Sequence, residues 1–213
     1  MTTRPEMASQ RLDEWLEALA SQQATPGGGS FAAVSGATGA ALVAMVCRLT
    51  IGKERFAEVE ARMREIADEC DRERVGLLGL AERDAHAFDA VMAAYRMPKE
   101  TDDEKQERML ALQAGLEDAA EVPLTVARRA VYLMGLAEEV TTNGNPSAAS
   151  DGFSAAAALY AAMLAALANV RINAFAFVDP TRKGELLEDC RRLRDRANTL
   201  LMDAETAFTS RAS

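Results

Sequence analysis

From Ser21 to Cys47 the chain runs for 27 residues without one charged side chain. Within that run Ala32, Ala33, Ser35, Gly36, Gly39, Ala40 and Ala44 put small residues around most of a helix expected over Phe31–Thr50. A helix that is apolar on every side belongs in a core or in a membrane. Small side chains on its surface let neighbouring backbones come close. A second smooth stretch, Gly152–Val170, holds 19 uncharged residues, which is borderline for a membrane span. Its alanine content, and Asn169 just inside its end, favour a buried core helix. No segment keeps a strand-like alternation for a full element, and no linker divides the chain. The expected fold is therefore all-α, a single domain over residues 1–213, with long helices bundled around two Ala/Gly-rich central ones.

Composition agrees with that architecture. Hydrophobic residues make up 49% of the chain but aromatics only 5%, so Ala, Leu, Val and Met must fill the core. A net charge of −9 argues against a nucleic-acid partner or an anionic membrane surface. The three cysteines, Cys47, Cys70 and Cys190, all fall in helical patterns and are expected as buried, reduced thiols. With one histidine, His86, and no CxxC pair, no metal site is expected. Met1–Gln10 is polar and lacks the apolar centre of a signal peptide, so the expected location is cytoplasmic.

Along the chain, Leu12, Trp15, Leu16 and Leu19 mark a short amphipathic helix. Thr25-Pro26-Gly27-Gly28-Gly29-Ser30 then predicts a break, with Ser30 as N-cap of the first smooth helix and Gly52 as its C-cap. Arg55–Tyr95 reads as one long helix with an apolar stripe at Phe56, Val59, Met63, Ile66, Cys70, Leu77, Leu80, Phe88, Val91 and Tyr95. Lys99–Arg108 reads as a charged connection into a further helix, which Pro123 is expected to kink. Thr141–Pro146 is a dense turn signal, and Thr181–Ala207 is a charged amphipathic helix.

One residue is out of place in this pattern. Asp84 occupies the stripe position between Leu80 and Phe88, so it points towards the interior. An inward carboxylate is paired, hydrogen-bonded or poised for chemistry. Its structural alternatives are pairing with Lys53 or Arg83, or capping a neighbouring helix, but interior carboxylates on regular stripes are uncommon, which favours function. His86, two residues on, falls on the far face and is expected at the surface. Glu73 also interrupts the stripe, and Arg74 beside it suggests a solvated ion pair. Gly27, Gly28, Gly29 and Ser30 would expose backbone N–H groups at a helix start, a natural site for an anion or simply a tight turn. Asn145, Asp151, Asn169 and Asn173 bracket the second smooth helix with more polar groups than capping requires.

Taken in order, several of these segments resemble the cyclodeaminase/cyclohydrolase family, the C-terminal domain of formimidoyltransferase-cyclodeaminase and its stand-alone bacterial relatives. The resemblance rests on Thr25–Ser30, Gly39–Leu42 with Met45-Val46, Leu49–Lys53, Asp84–Phe88 and Met97–Lys99. It continues through Gly144-Asn145 with Ser150-Asp151, and then Asn169–Asn173. The runs Val43–Lys53 and Ala87–Met92 carry a closer likeness to the cyclohydrolase branch. It implies a homodimer acting on a folate without metal, nucleotide or other cofactor. The implied reaction is hydrolysis of 5,10-methenyltetrahydrofolate to 10-formyltetrahydrofolate, with Asp84 at the position of the family's proposed catalytic aspartate. Gly27, Gly28, Gly29, Ser30, Lys53, Asn145, Asp151 and Asn173 are the expected substrate contacts. Cyclodeamination of formiminotetrahydrofolate is the rival expectation, disfavoured by the lack of a transferase segment in these residues. A non-catalytic folate-binding helical dimer is the third.

Overall fold

The structure is a computed structural model, and it describes residues 9–212. Most of the polar stretch Met1–Gln10 lies outside them. The described residues form helices α1 (Leu12–Leu19), α2 (Gly28–Thr50), α3 (Glu60–Tyr95), α4 (Asp102–Asn143), α5 (Ala149–Ala174) and α6 (Pro180–Ala212), with no strand. Short 3-10 turns at Glu54–Phe56 and Pro146–Ala148 precede α3 and α5.

The two smooth helices are α2 and α5, and they pack against each other at the centre. α3 and α4 flank α2, and α4 and α6 flank α5. Ala32, Ala33, Ala40, Val43 and Val46 of α2 are fully buried, as are Ala155, Ala156, Leu159, Ala162 and Met163 of α5. Their closeness depends on glycine: a Cβ on Gly39 would stand 2.5 Å from Leu159 Cγ. All three cysteines are free and buried, and desolvation pushes the thiols of Cys47 and Cys70 up to about 12. They are core side chains, not nucleophiles.

Several expected boundaries move, each for a local reason. α2 begins at Gly28, not Phe31, with Gly27 as its N-cap, so Ser30 is inside the first turn. Gly52 takes φ +77° just past the helix end, the left-handed conformation that terminates helices. The helix read over Arg55–Tyr95 starts only at Glu60, because residues 54–56 form a separate 3-10 turn. α4 begins at Asp102, inside the stretch read as a connection. Thr101 and Glu104 form a reciprocal capping box there, the Thr-x-x-Glu signal for a helix start. α4 continues through Pro123 to Asn143. Glu73 pairs across the bundle with Arg129 at 3.4 Å, not with Arg74, whose partner is Asp71.

Candidate active site

The N-terminal end of α2, the second half of α3, Leu116 and Ala119 of α4 and the C-terminal end of α5 enclose a cleft of about 360 Å³. Asp84 lies in it, on the stripe position that singled it out. The floor is the helix start itself. Gly28 and Gly29 are helical, and the reason for glycine is proximity, not turning: a Cβ on Gly29 would overlap the Asp84 carboxylate.

No side chain of its own caps α2. Asp84 does so from the neighbouring helix. Ser30 donates to the carboxylate through its backbone N–H and its hydroxyl, with Oγ 3.3 Å from Asp84 Oδ2. The same hydroxyl lies 3.4 Å from the Ala81 carbonyl, which holds it between the two helices. The capping alternative for Asp84 is thus realised, yet the carboxylate still faces the cleft. Burial raises its pKa above the ordinary carboxylate value, and the Ser30 bonds pull the other way without cancelling the rise. A partly desolvated carboxylate with few donors is suited to taking a proton.

The walls are mostly apolar, from Phe88, Val91, Met92, Tyr95, Leu116 and Ile172. Phe88 and Tyr95, read as core stripe, are 38% and 46% exposed because beyond Asp84 the stripe of α3 faces this cleft. Asn169 and Asn173 supply the polar side chains of the α5 wall. His86 is exposed on the other face of α3, as expected. Among the described residues no three His, Cys, Asp or Glu side chains converge as a metal site.

Of the expected contacts, the fold brings Gly27, Gly28, Gly29, Ser30 and Asn173 together with Asp84. It leaves Lys53, Asn145 and Asp151 at the opposite end of α2, roughly 30–35 Å away by helix rise. Asn145 there is occupied with the fold. Its N–H donates to Thr50 Oγ1 at 2.9 Å and its Nδ2 to the Leu49 carbonyl at 3.1 Å. Its Oδ1 accepts from Arg55 and from the Ser147 N–H, both at 3.2 Å. Asp151 lies in the first turn of α5, where a carboxylate complements the helix dipole, and Lys53 is exposed before the 3-10 turn. Asn169, passed over as a contact, does line the cleft. Its spacing of four from Asn173 was the available signal.

The formiminotransferase-cyclodeaminase family profile matches residues 11–192. The chain belongs to the formiminotransferase-cyclodeaminase family. Within that family it is 41% identical over 192 residues to a methenyltetrahydrofolate cyclohydrolase of Methylorubrum extorquens, covering 90% of this chain and 92% of that protein. It is 35% identical over 195 residues to formimidoyltransferase-cyclodeaminase of Sus scrofa, covering 92% of this chain but 35% of that longer protein. The crystal structure of formiminotetrahydrofolate cyclodeaminase from Thermotoga maritima superposes with a TM-score of 0.88 at 29% identity, covering 98% of this chain and all of that one. The all-α bundle is thus the formiminotransferase-cyclodeaminase fold, and the chain is related to enzymes of folate one-carbon chemistry.

Proposed function

We propose that this protein is a cytoplasmic methenyltetrahydrofolate cyclohydrolase, hydrolysing 5,10-methenyltetrahydrofolate to 10-formyltetrahydrofolate with Asp84 as general base. The observation that carries the reading is Asp84 itself: a half-buried carboxylate of raised pKa facing an apolar cleft, in a chain 41% identical to a cyclohydrolase over most of its length. The methenyl carbon lies between two nitrogens in a cation, so it is electrophilic and is attracted to a carboxylate. Water attacks that carbon while Asp84 takes one of its protons, giving a neutral carbinolamine. The carbinolamine O–H is then lost, the bond from carbon to N5 breaks, and N5 receives a proton, leaving the formyl group on N10. One proton is released overall. The sequence of bonds needs water and the substrate but no cofactor.

The test is loss of methenyl absorbance on adding protein, against buffer alone and against Asp84→Asn. Protein-dependent decay that the variant loses supports the assignment, and equal rates with the variant would refute the role of Asp84. Cyclodeamination is the second reading, favoured by the likeness to the Thermotoga maritima enzyme. In it a folate nitrogen attacks the formimino carbon in place of water, and ammonia leaves in place of N5, so the ring closes instead of opening. Ammonia formed from formiminotetrahydrofolate, with no methenyl hydrolysis, would select it.

The working unit in this proposal is a homodimer. The outward face of α2 carries Phe31, Thr38, Ala41, Met45 and Leu49, all exposed and uncharged in a chain of net −9. A second copy presents the same neutral face, which a two-fold axis can pair with itself. Antiparallel pairing of two α2 helices brings Lys53 and Asp151 of one copy near the Asp84 cleft of the other, supporting their place among the contacts. Sedimentation of the protein and of Met45→Glu tests the pairing, with a dimer that the variant splits as the expected result.

A further inference from the structure

Asn169 and Asn173 stand one turn apart near the end of α5, and both line the cleft. Each amino group gives one of its two N–H donors to the protein. Asn169 Nδ2 donates to the Ala165 carbonyl at 2.9 Å, and Asn173 Nδ2 donates to the Ala119 carbonyl of α4 at 2.6 Å. Those bonds fix the turn of each amide, because a carbonyl accepts only from the amino side. Neither Oδ1 accepts a hydrogen bond from another described residue. The α5 wall therefore offers two neutral acceptors on one face, and among the described residues no Lys or Arg side chain lines the cleft with them.

Their position relative to Asp84 is set by the paired glycines. Asn169 packs over Gly28, its Nδ2 3.3 Å from where a Cβ would be, while Asp84 packs over the next residue, Gly29. The Asp84 carboxylate and the Asn169 amide thus flank consecutive residues at the start of α2, with Asn173 one turn further along α5. A planar ligand lying over these glycines meets the carboxylate at one edge and the acceptors at the other. The group that satisfies such acceptors carries adjacent N–H donors.

We propose that Asn169 and Asn173 are specificity-determining residues that read the exocyclic amino group and adjacent ring N–H of the folate's pyrimidinone ring, leaving the reacting carbon at Asp84. This rests on the folate reading above. It assigns the polar edge of the ring to α5, and it explains why two asparagines end a helix of alanine and leucine. A buried acceptor left without its donor is costly, so the site rejects a ring that lacks the amino group.

The test pairs tetrahydrofolate with its analogue in which hydrogen replaces the 2-amino group, by calorimetry on the wild-type protein, Asn169→Leu and Asn173→Leu. Wild type is expected to prefer tetrahydrofolate by roughly tenfold or more. In the variant of the asparagine that reads the amino group, tetrahydrofolate weakens towards the analogue, whose own affinity stays the same; the variant of the one that reads the ring N–H weakens both ligands. For methenyltetrahydrofolate, KM rises by about tenfold with kcat within about twofold, the sign of binding energy lost equally from ground and transition states. Equal weakening of both ligands in both variants, or an intact preference in both variants, overturns the proposal. So does a wild type that hydrolyses methenyltetrahydrofolate yet binds the two ligands alike, and that result leaves the functional reading standing. A wild type that neither binds nor converts any folate removes both. The wild-type comparison needs no variant to fold.

Discussion

The two ends of α2 are built from similar residue types and do different things. At the N-terminal end, Gly28 and Gly29 lie under a carboxylate and an amide that face an open cleft. At the C-terminal end, the Thr50 hydroxyl, the Asn145 amide and the Gly144 carbonyl bond to one another or to Leu49, Arg55 and Arg211. Polar groups satisfied by the protein hold the fold; polar groups left facing space are available to a ligand. Within one copy, that difference in hydrogen-bond satisfaction, not residue identity, separates the candidate cleft from the opposite end of α2.

The strongest way to break the contrast is Asp84→Asn. If Asp84 is the base, turnover falls by about 10²–10⁴-fold, read from single-turnover loss of methenyl absorbance. Stability moves the other way. Burial raises the folded-state pKa of Asp84 above its unfolded value, so the folded protein holds that proton more tightly. The resulting stabilisation is full below the unfolded pKa and is lost as pH rises through the folded one. At neutral pH the ionised carboxylate is a net burden. The variant is therefore expected to melt at or above the wild-type temperature at pH 7, with the difference shrinking in acid. Wild-type activity should rise with pH across the same raised pKa, and a flat profile would count against Asp84 as base.

Gly29→Ala perturbs the same end through packing. Its new Cβ overlaps the carboxylate, so Asp84 or the first turn of α2 must shift. Overpacking of this kind costs about 1–3 kcal/mol of stability, and the displaced base should cut turnover by about 10²-fold. Asn145→Ala perturbs the other end. It strands the Arg55 and Ser147 donors and the Leu49 carbonyl, for a loss of about 1–3 kcal/mol in denaturant unfolding. Turnover per folded molecule should change far less than with Gly29→Ala. Equal loss of activity from the two would erase the distinction between the ends.

How much of this was legible in the sequence follows the range of the interactions. The two core helices were legible because an uncharged run constrains every face of a helix at once. Asp84 was legible because a 3.6-residue period places it among apolar neighbours without any knowledge of the rest. The glycines were noticed for the wrong reason, as a break with exposed N–H groups or a tight turn, because nothing local says that a carboxylate from 55 residues away presses on Gly29. Glu73 was assigned its sequence neighbour Arg74 when its partner is Arg129, reached past Gly76, where a Cβ would collide with the guanidinium. Within one copy Lys53, Asn145 and Asp151 lie at the far end of α2 from Gly27–Ser30, a separation that a shared family pattern does not carry.

A last substitution sharpens what glycine means here. Gly79 is exposed within α3, on the same helix as Asp84, and a Cβ there would meet nothing within 4 Å. Alanine at that position removes the backbone freedom glycine has in the unfolded chain and adds no contact. Gly79→Ala should therefore gain about 0.4–1 kcal/mol, with activity unchanged. Gly29→Ala adds the same single methyl at the start of a neighbouring helix, yet is expected to lose both stability and turnover. If Gly79→Ala instead slowed the reaction, α3 would be required to flex during turnover, and Gly79 would share a functional reason for being glycine.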